Sequence, residues 1–162
     1  MTPRAIILHT IGVRGDTTIA AVRRYHMTPE SKGGPPGGPW RDVGYHALVR
    51  KDGTVEYGRL FSTTGSHTGG ANDTWGIAVA GDGDSEPWTG RQWLAVLALV
   101  DRLRHRVPGV VLPVYGHREA PAALGAKPTS KTCPGRLVDM DEVRAALAAY
   151  HASVVAGRGR SG

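Results

Sequence analysis

Apolar residues fall into short runs separated by polar and glycine-rich stretches, and their spacing alternates between the strand period and the helix period. Residues 4–8 form an apolar run after Pro3, the pattern of a buried strand, and the run stops at His9. Asp16 and Thr17 offer capping oxygens for a helix on which Ile19, Val22 and His26 recur at helical spacing, until Pro29 ends it. Residues 31–39 (SKGGPPGGP) carry no periodicity and form a loop, either a lid or a tolerated insertion, the second being favoured. Two strand-like runs follow at 43–49 and 54–59, joined by the turn signal Asp52-Gly53. Residues 75–80 predict a further buried strand, closed by the glycine-rich Gly81-Asp82-Gly83-Asp84. Thr89 caps a predicted helix with Trp93, Leu94, Leu97, Val100 and Leu103 on its apolar face. Residues 110–115 predict a strand, with Pro113 suggesting an edge or a bulge, and this strand delivers His117. A last helix starts near residue 139, with Val143, Leu147 and Tyr150 facing inward.

Interleaved strands and helices of this kind predict an α/β fold: a central mixed β-sheet flanked by helices, antiparallel at the hairpin. At 162 residues the chain suits one domain, assigned to residues 1–156, with 157–162 (GRGRSG) expected to be a disordered tail. No apolar run approaches the roughly 20 residues that a spanning helix needs, so membrane insertion is not expected. The start of the chain lacks the pattern of a secretory signal, which predicts synthesis in a cytoplasm without a signal peptide.

Charge narrows the surroundings. A net charge of +6 and a pI near 9.9 favour polyanionic partners: nucleic acid, anionic lipid, or a cell wall with its carboxylates and phosphates. Nucleic acid is disfavoured, because no recognition motif or interleaving of aromatic and basic residues is present.

The candidate chemistry lies where strands stop. Of seven histidines, His9 and His117 each follow a strand-like run, and strand ends present side chains at a sheet rim open to substrate. Cys133, the single cysteine, excludes an internal disulfide and sits in a loop shaped by Pro134 and Gly135. Two imidazoles and a thiolate make a sound zinc set, with a fourth position left for water. Spacing alone does not decide it, since a lone cysteine is commonly a small buried hydrophobe.

Five short words occur in order: DVGYH at 42–46, KDGTV at 51–55, GSH at 65–67, GHRE at 116–119 and KTCPG at 131–135. Together they resemble the type 2 N-acetylmuramoyl-L-alanine amidases, the family of the phage lysozyme-like amidases and the peptidoglycan recognition proteins. The resemblance extends from about Ile6 to Tyr150. It implies one Zn²⁺ per chain, held by His9, His117 and Cys133 in a surface groove at the sheet rim. It further implies catalytic roles for Tyr45 and Lys131, with His67 near enough to the groove for substrate contact. The implied reaction is hydrolysis of the amide bond between N-acetylmuramic acid and L-alanine. The expected protein is a phage or prophage endolysin, a monomer that acts on peptidoglycan after release from the host cytoplasm. The segments 31–39 and 120–129 depart from the family pattern and leave fine substrate preference open.

These residue types suit amide hydrolysis. Zinc polarises a carbonyl and lowers the pKa of bound water to around 7. The Tyr45 phenol and the Lys131 ammonium are donors for the charge that builds on the carbonyl oxygen. No carboxylate stands out as general acid or base, and Glu119, beside a ligand, reads as structural; Tyr45, or water relayed through Lys131, is expected to handle the proton. Two alternatives stand beside this reading: a module that binds peptidoglycan without cutting it, whose sequence mark would be a lost zinc ligand, and a thiol peptidase using Cys133 with a histidine base. Among the rest, His46 reads as a core histidine, Asn72 as a turn-former, and His26, His105 and His151 as surface residues. Trp40 and Trp88 read as loop tryptophans packed on the core.

Overall fold

The computed structural model describes residues 1–158 of the chain. Its centre is a five-stranded sheet in the order β3-β2-β4-β1-β5, formed by β1 (Ile6–Thr10), β2 (Ala47–Val49), β3 (Val55–Tyr57), β4 (Trp75–Val79) and β5 (Val114–Gly116). β1 runs parallel to both β4 and β5, β2 runs parallel to β4, and β2 pairs antiparallel with β3. The mixed sheet expected from the alternating pattern is therefore present, and the antiparallel pair lies at the predicted hairpin.

Because successive side chains on a strand face opposite ways, the sheet divides its residues between two layers. Ile6, Leu8, Ala47, Val49, Trp75, Ile77 and Val79 face the main core, closed by α2 (Gly90–Arg104) and α4 (Met140–Arg158). Ile7, Leu48 and Ala78 face the other way, toward α1 (Ile19–His26) and the short α3 (Ala120–Leu124). His9 shares the parity of Ile7, so it points to the layer opposite α2 and α4.

Local chemistry explains the helix starts. Thr89 closes a capping box with Gln92 at the head of α2. On α1 the cap is Thr18, one residue beyond the expected pair; Asp16 instead receives the Arg50 guanidinium at 2.6 Å and the Lys51 N–H at 3.0 Å. The face of α2 also differs from expectation. Val96, Leu99, Val100 and Leu103 are buried while Leu94 is 64% exposed, because two residues along a helix carry a side chain some 200° around the axis from Val96. The strands are shorter than their apolar runs. Arg59 accounts for part of this, since its guanidinium bonds the Val43 and Thr64 carbonyls and ties residue 43 to a loop instead of a ladder. Gly157 and Arg158, expected in the tail, belong to α4; residues 159–162 lie outside the described residues.

Candidate metal centre

His9 is the fourth residue of β1, and His117 follows the last residue of β5 directly. The two strands are hydrogen-bonded neighbours, so both imidazoles arrive at the same end of the sheet, where the parallel strands finish. Crevices beyond the carboxyl ends of such strands are the usual ligand sites of α/β sheets. Cys133 comes from a loop 124 residues away from His9 in sequence, yet its Sγ stands 3.6 Å from His9 Nδ1. The ligand atoms of His9, His117 and Cys133 all lie within 4.8 Å of one another.

This donor set fits a zinc ion. With Zn–N near 2.0–2.1 Å and Zn–S near 2.3 Å, a tetrahedral angle separates nitrogen from sulfur by about 3.6 Å, which is the observed spacing. The protonation pattern agrees. His67 Nε2 stands 3.0 Å from the Thr74 carbonyl, which can only accept, so Nε2 carries the proton and His67 Nδ1 is an acceptor. His9 Nε2, 3.0 Å from His67 Nδ1, must then be the donor. That relay leaves the lone pair of His9 on Nδ1, facing Cys133. Metal-binding histidines are commonly oriented by such an outer hydrogen bond.

Burial keeps the imidazoles neutral. It pushes His9 well below its ordinary value, helped by the charges of His67, His117 and Lys131. Burial and then the Lys131 charge bring His117 down to about 4. Burial raises the Cys133 thiol to about 11, the reverse of what a thiolate nucleophile requires. Burial also raises the Tyr45 phenol above its ordinary value, so it keeps its proton at neutral pH.

The three donors open onto a cavity of about 370 Å³ lined also by Trp40, Tyr45, His67 and Lys131. A second hollow of about 300 Å³ shares Trp40, His67, His117 and Lys131 with it and extends the groove toward Lys127 and Thr129. The Tyr45 ring is centred 5.1 Å from that of His9, and Lys131 is exposed at the mouth. His67 is buried behind His9, with both ring nitrogens engaged within the protein. It rests over Gly76 of β4, where a Cβ would run into the imidazole. None of the segment 31–39 is among the residues lining either hollow, and Trp40 just beyond it is, which suits an insertion better than a lid.

Several residues that shape the centre were not singled out by sequence pattern. Arg118 donates to the carbonyls of Thr132 at 3.0 Å, Gly135 at 2.8 Å and Val138 at 2.7 Å, so one guanidinium holds the loop that carries Cys133. The same loop is pinned from its other side: Asp84 accepts from the Thr132 hydroxyl and the Arg136 N–H, each at 2.7 Å. Gly83 and Gly135 lie backbone to backbone, leaving no room for a Cβ on either. His26, expected at the surface, is 5% exposed. Its Nδ1 accepts the Gly44 N–H at 3.0 Å, and its ring lies 4.4 Å from that of Trp40 at 39° and 5.6 Å from that of Tyr45, so it packs beside the entry to Tyr45. Helical spacing contained a signal for this, since His26 continues the Ile19, Val22 face. His46, Asn72, Trp88 and Glu119 behave as expected. His46 is fully buried and bonded at both nitrogens, and Asn72 accepts the His67 and Thr68 N–H groups. Trp88 is buried in the core, and Glu119 pairs with Arg144 at 3.0 Å.

The chain is similar to known proteins in sequence and in fold. The endolysin of Klebsiella phage KP32 is 40% identical over 90 residues, 52% of this chain and 59% of that protein, so the chain spans little more than half the length of this relative. Peptidoglycan-recognition protein SC2 of Drosophila melanogaster is 31% identical over 141 residues, 81% of this chain and 67% of that protein. Among solved structures, the N-acetylmuramoyl-L-alanine amidase LysC from Clostridium intestinale URNW superposes with a TM-score of 0.73 at 27% identity, covering 91% of this chain and 86% of that one. The family model described as N-acetylmuramoyl-L-alanine amidase matches residues 1–136. The chain belongs to the N-acetylmuramoyl-L-alanine amidase family.

Proposed function

We propose that this chain hydrolyses the amide bond between N-acetylmuramic acid and L-alanine in peptidoglycan, as a phage or prophage endolysin using one zinc ion. The observation that carries the reading is the approach of His9, His117 and Cys133 at the floor of an open groove, with His9 and Cys133 at the spacing of two zinc ligands. His9 would hold the ion through Nδ1, His117 through a ring nitrogen and Cys133 through sulfur. When bound there, the metal supplies a Lewis acid for the amide carbonyl and a means of ionising water at neutral pH. Tyr45 keeps its phenolic proton and donates it as a hydrogen bond to the carbonyl oxygen as charge builds there. Lys131, at the mouth, adds a second positive donor, and water relayed through it brings a proton to the leaving amine. His67 holds the His9 tautomer, a positioning role that its engaged nitrogens favour over direct substrate contact. Trp40, half-buried at the rim, offers a flat apolar face to a sugar ring. The chain works as a single domain and a monomer.

Purified sacculi digested with the protein should yield new N-terminal alanine and no new reducing sugar. A chelator should stop the release, and Zn²⁺ should restore it. New reducing ends would mean a glycosidase; activity untouched by chelator would return the thiol peptidase.

The ligand protonation states predict how metal uptake depends on pH. Above about 4 the His117 ring is neutral, and below about 11 the thiol still carries its proton. Binding near pH 5 to 6 therefore releases about one proton, and affinity should climb about tenfold per pH unit there, more steeply once bound water ionises near 7. Calorimetry in buffers of different ionisation enthalpy reads the proton directly. A release near zero would show that the thiol is not a ligand.

A further inference from the structure

On the other side of the sheet from the groove, α2 and α4 bring together a second set of metal-binding side chains. Asp101 lies on α2, His105 caps its C-terminus, and His151 projects from α4. Their ligand atoms also lie within 4.8 Å of one another. We propose that Asp101, His105 and His151 form a second site for a divalent transition metal such as Zn²⁺, one that ties the C-terminal part of α4 to α2.

Three observations carry this. Asp101 is a charged side chain only 7% exposed in a largely apolar helix interface, and a buried carboxylate needs a compensating partner. Among the described residues, neither Asp101 Oδ1 nor His151 Nδ1 has a hydrogen-bond partner, although both atoms are buried. They stand 2.9 Å apart, within ion-pair distance but without the alignment of a hydrogen bond. The distances also suit one ion. Donors 2.0–2.2 Å from a metal are about 2.9 Å apart at a right angle and about 3.6 Å apart at 120°. His151 Nδ1 and His105 Nδ1 lie 2.9 Å and 3.6 Å from Asp101 Oδ1.

The two imidazoles stack with centroids 4.3 Å apart and 14° between planes, so a shared ion requires one ring to tilt. His105 is free to do so: it is exposed, and is held by one bond from Nδ1 to the Asp101 carbonyl at 2.8 Å, which the ion would replace. Two imidazoles and one carboxylate leave further positions open to the adjoining hollow of about 300 Å³. Imidazole with carboxylate selects zinc, copper, nickel or iron over magnesium and calcium. Arg102 and Arg158 line that hollow, and their charges oppose cation binding there.

Cobalt separates the two sites, because only the Cys133 centre has a sulfur. The full-length protein, stripped of metal, is titrated with Co²⁺ at pH 7.5. Two equivalents should bind, one giving a thiolate-to-cobalt charge-transfer band and one giving visible bands without it. His151→Ala and the milder His105→Gln should each lose only the second class, with sacculus hydrolysis unchanged. Cys133→Ser should lose only the charge-transfer band, and Zn²⁺ should still raise its Tm. Absence of a class of bound cobalt without the charge-transfer band in the wild-type protein overturns the proposal, as does such a class that survives in His105→Gln. Both results are independent of whether the groove cuts peptidoglycan.

Discussion

Cys133→Ser should reduce sacculus hydrolysis by about a thousandfold or more while leaving the fold intact. The size follows from the chemistry lost: Lewis-acid and water-activation effects together are worth several kcal/mol of barrier, at about 1.4 kcal/mol per decade of rate. A serine hydroxyl keeps its proton near neutrality and ligates zinc poorly, so zinc content should fall with activity. The fold should survive because the change is nearly isosteric, and the Thr10 N–H that bonds Sγ at 3.3 Å can bond a hydroxyl instead. His117→Ala should behave alike, its imidazole being half-buried at the groove and not part of the main core. Released alanine amines, metal analysis of the groove site and circular dichroism test this together. Activity within tenfold of wild type in a Cys133→Ser protein whose groove holds no zinc would remove the metal from the mechanism.

A second large effect should come from a residue that need not touch substrate. Arg118→Leu removes a charged donor from three loop carbonyls at once. Charge-assisted bonds are each worth about 1.5–3 kcal/mol, reduced here because the guanidinium is half-exposed, so a loss of about 3 kcal/mol and a fall in Tm of about 10 °C are expected. Zinc affinity should drop too, because the loop from residue 132 to 138 then holds Cys133 less firmly against His9. Arg118→Lys should rescue little, since one ammonium on a flexible stem cannot match a planar fork reaching three acceptors. Thermal melts and metal titrations of both variants check this. A lysine variant as stable and as zinc-avid as wild type would show that charge alone, not the fork, holds the loop.

The legible part of the fold was what short-range pattern encodes. The buried runs of β1 and β4, the Thr89 cap and the Val143, Leu147 face of α4 all follow from period and capping, which act over a few residues. The errors arose where contacts across the chain override local preference. Leu94 looked apolar enough for the core, yet the packing of α2 on the sheet centres its buried stripe on Val96 and Val100. His26 stood on a charged helix, yet Trp40 and Gly44 enclose it.

The candidate centre divides in the same way. His9 and His117 could be marked as strand-end residues, and Cys133 joined them through the resemblance of its neighbouring words to a known family, not through spacing. No local rule links positions 9, 117 and 133. His67 and Arg118 lie within the words at 65–67 and 116–119, but the relay from Thr74 through His67 to His9 and the Arg118 fork under the cysteine loop had no sequence mark as such.

The amino-acid order by itself marked where most strands and helices run, which chemical groups are available, and that the chain is net basic. The tertiary structure alone decided which of those groups meet. Pairing β1 with both β4 and β5 sets His9 beside His117 and over His67, and docking α4 on α2 sets His151 beside Asp101. The physical reason is range: capping and periodicity act over a few residues, whereas a shared ion needs donors within a few ångströms from elements up to 124 residues apart.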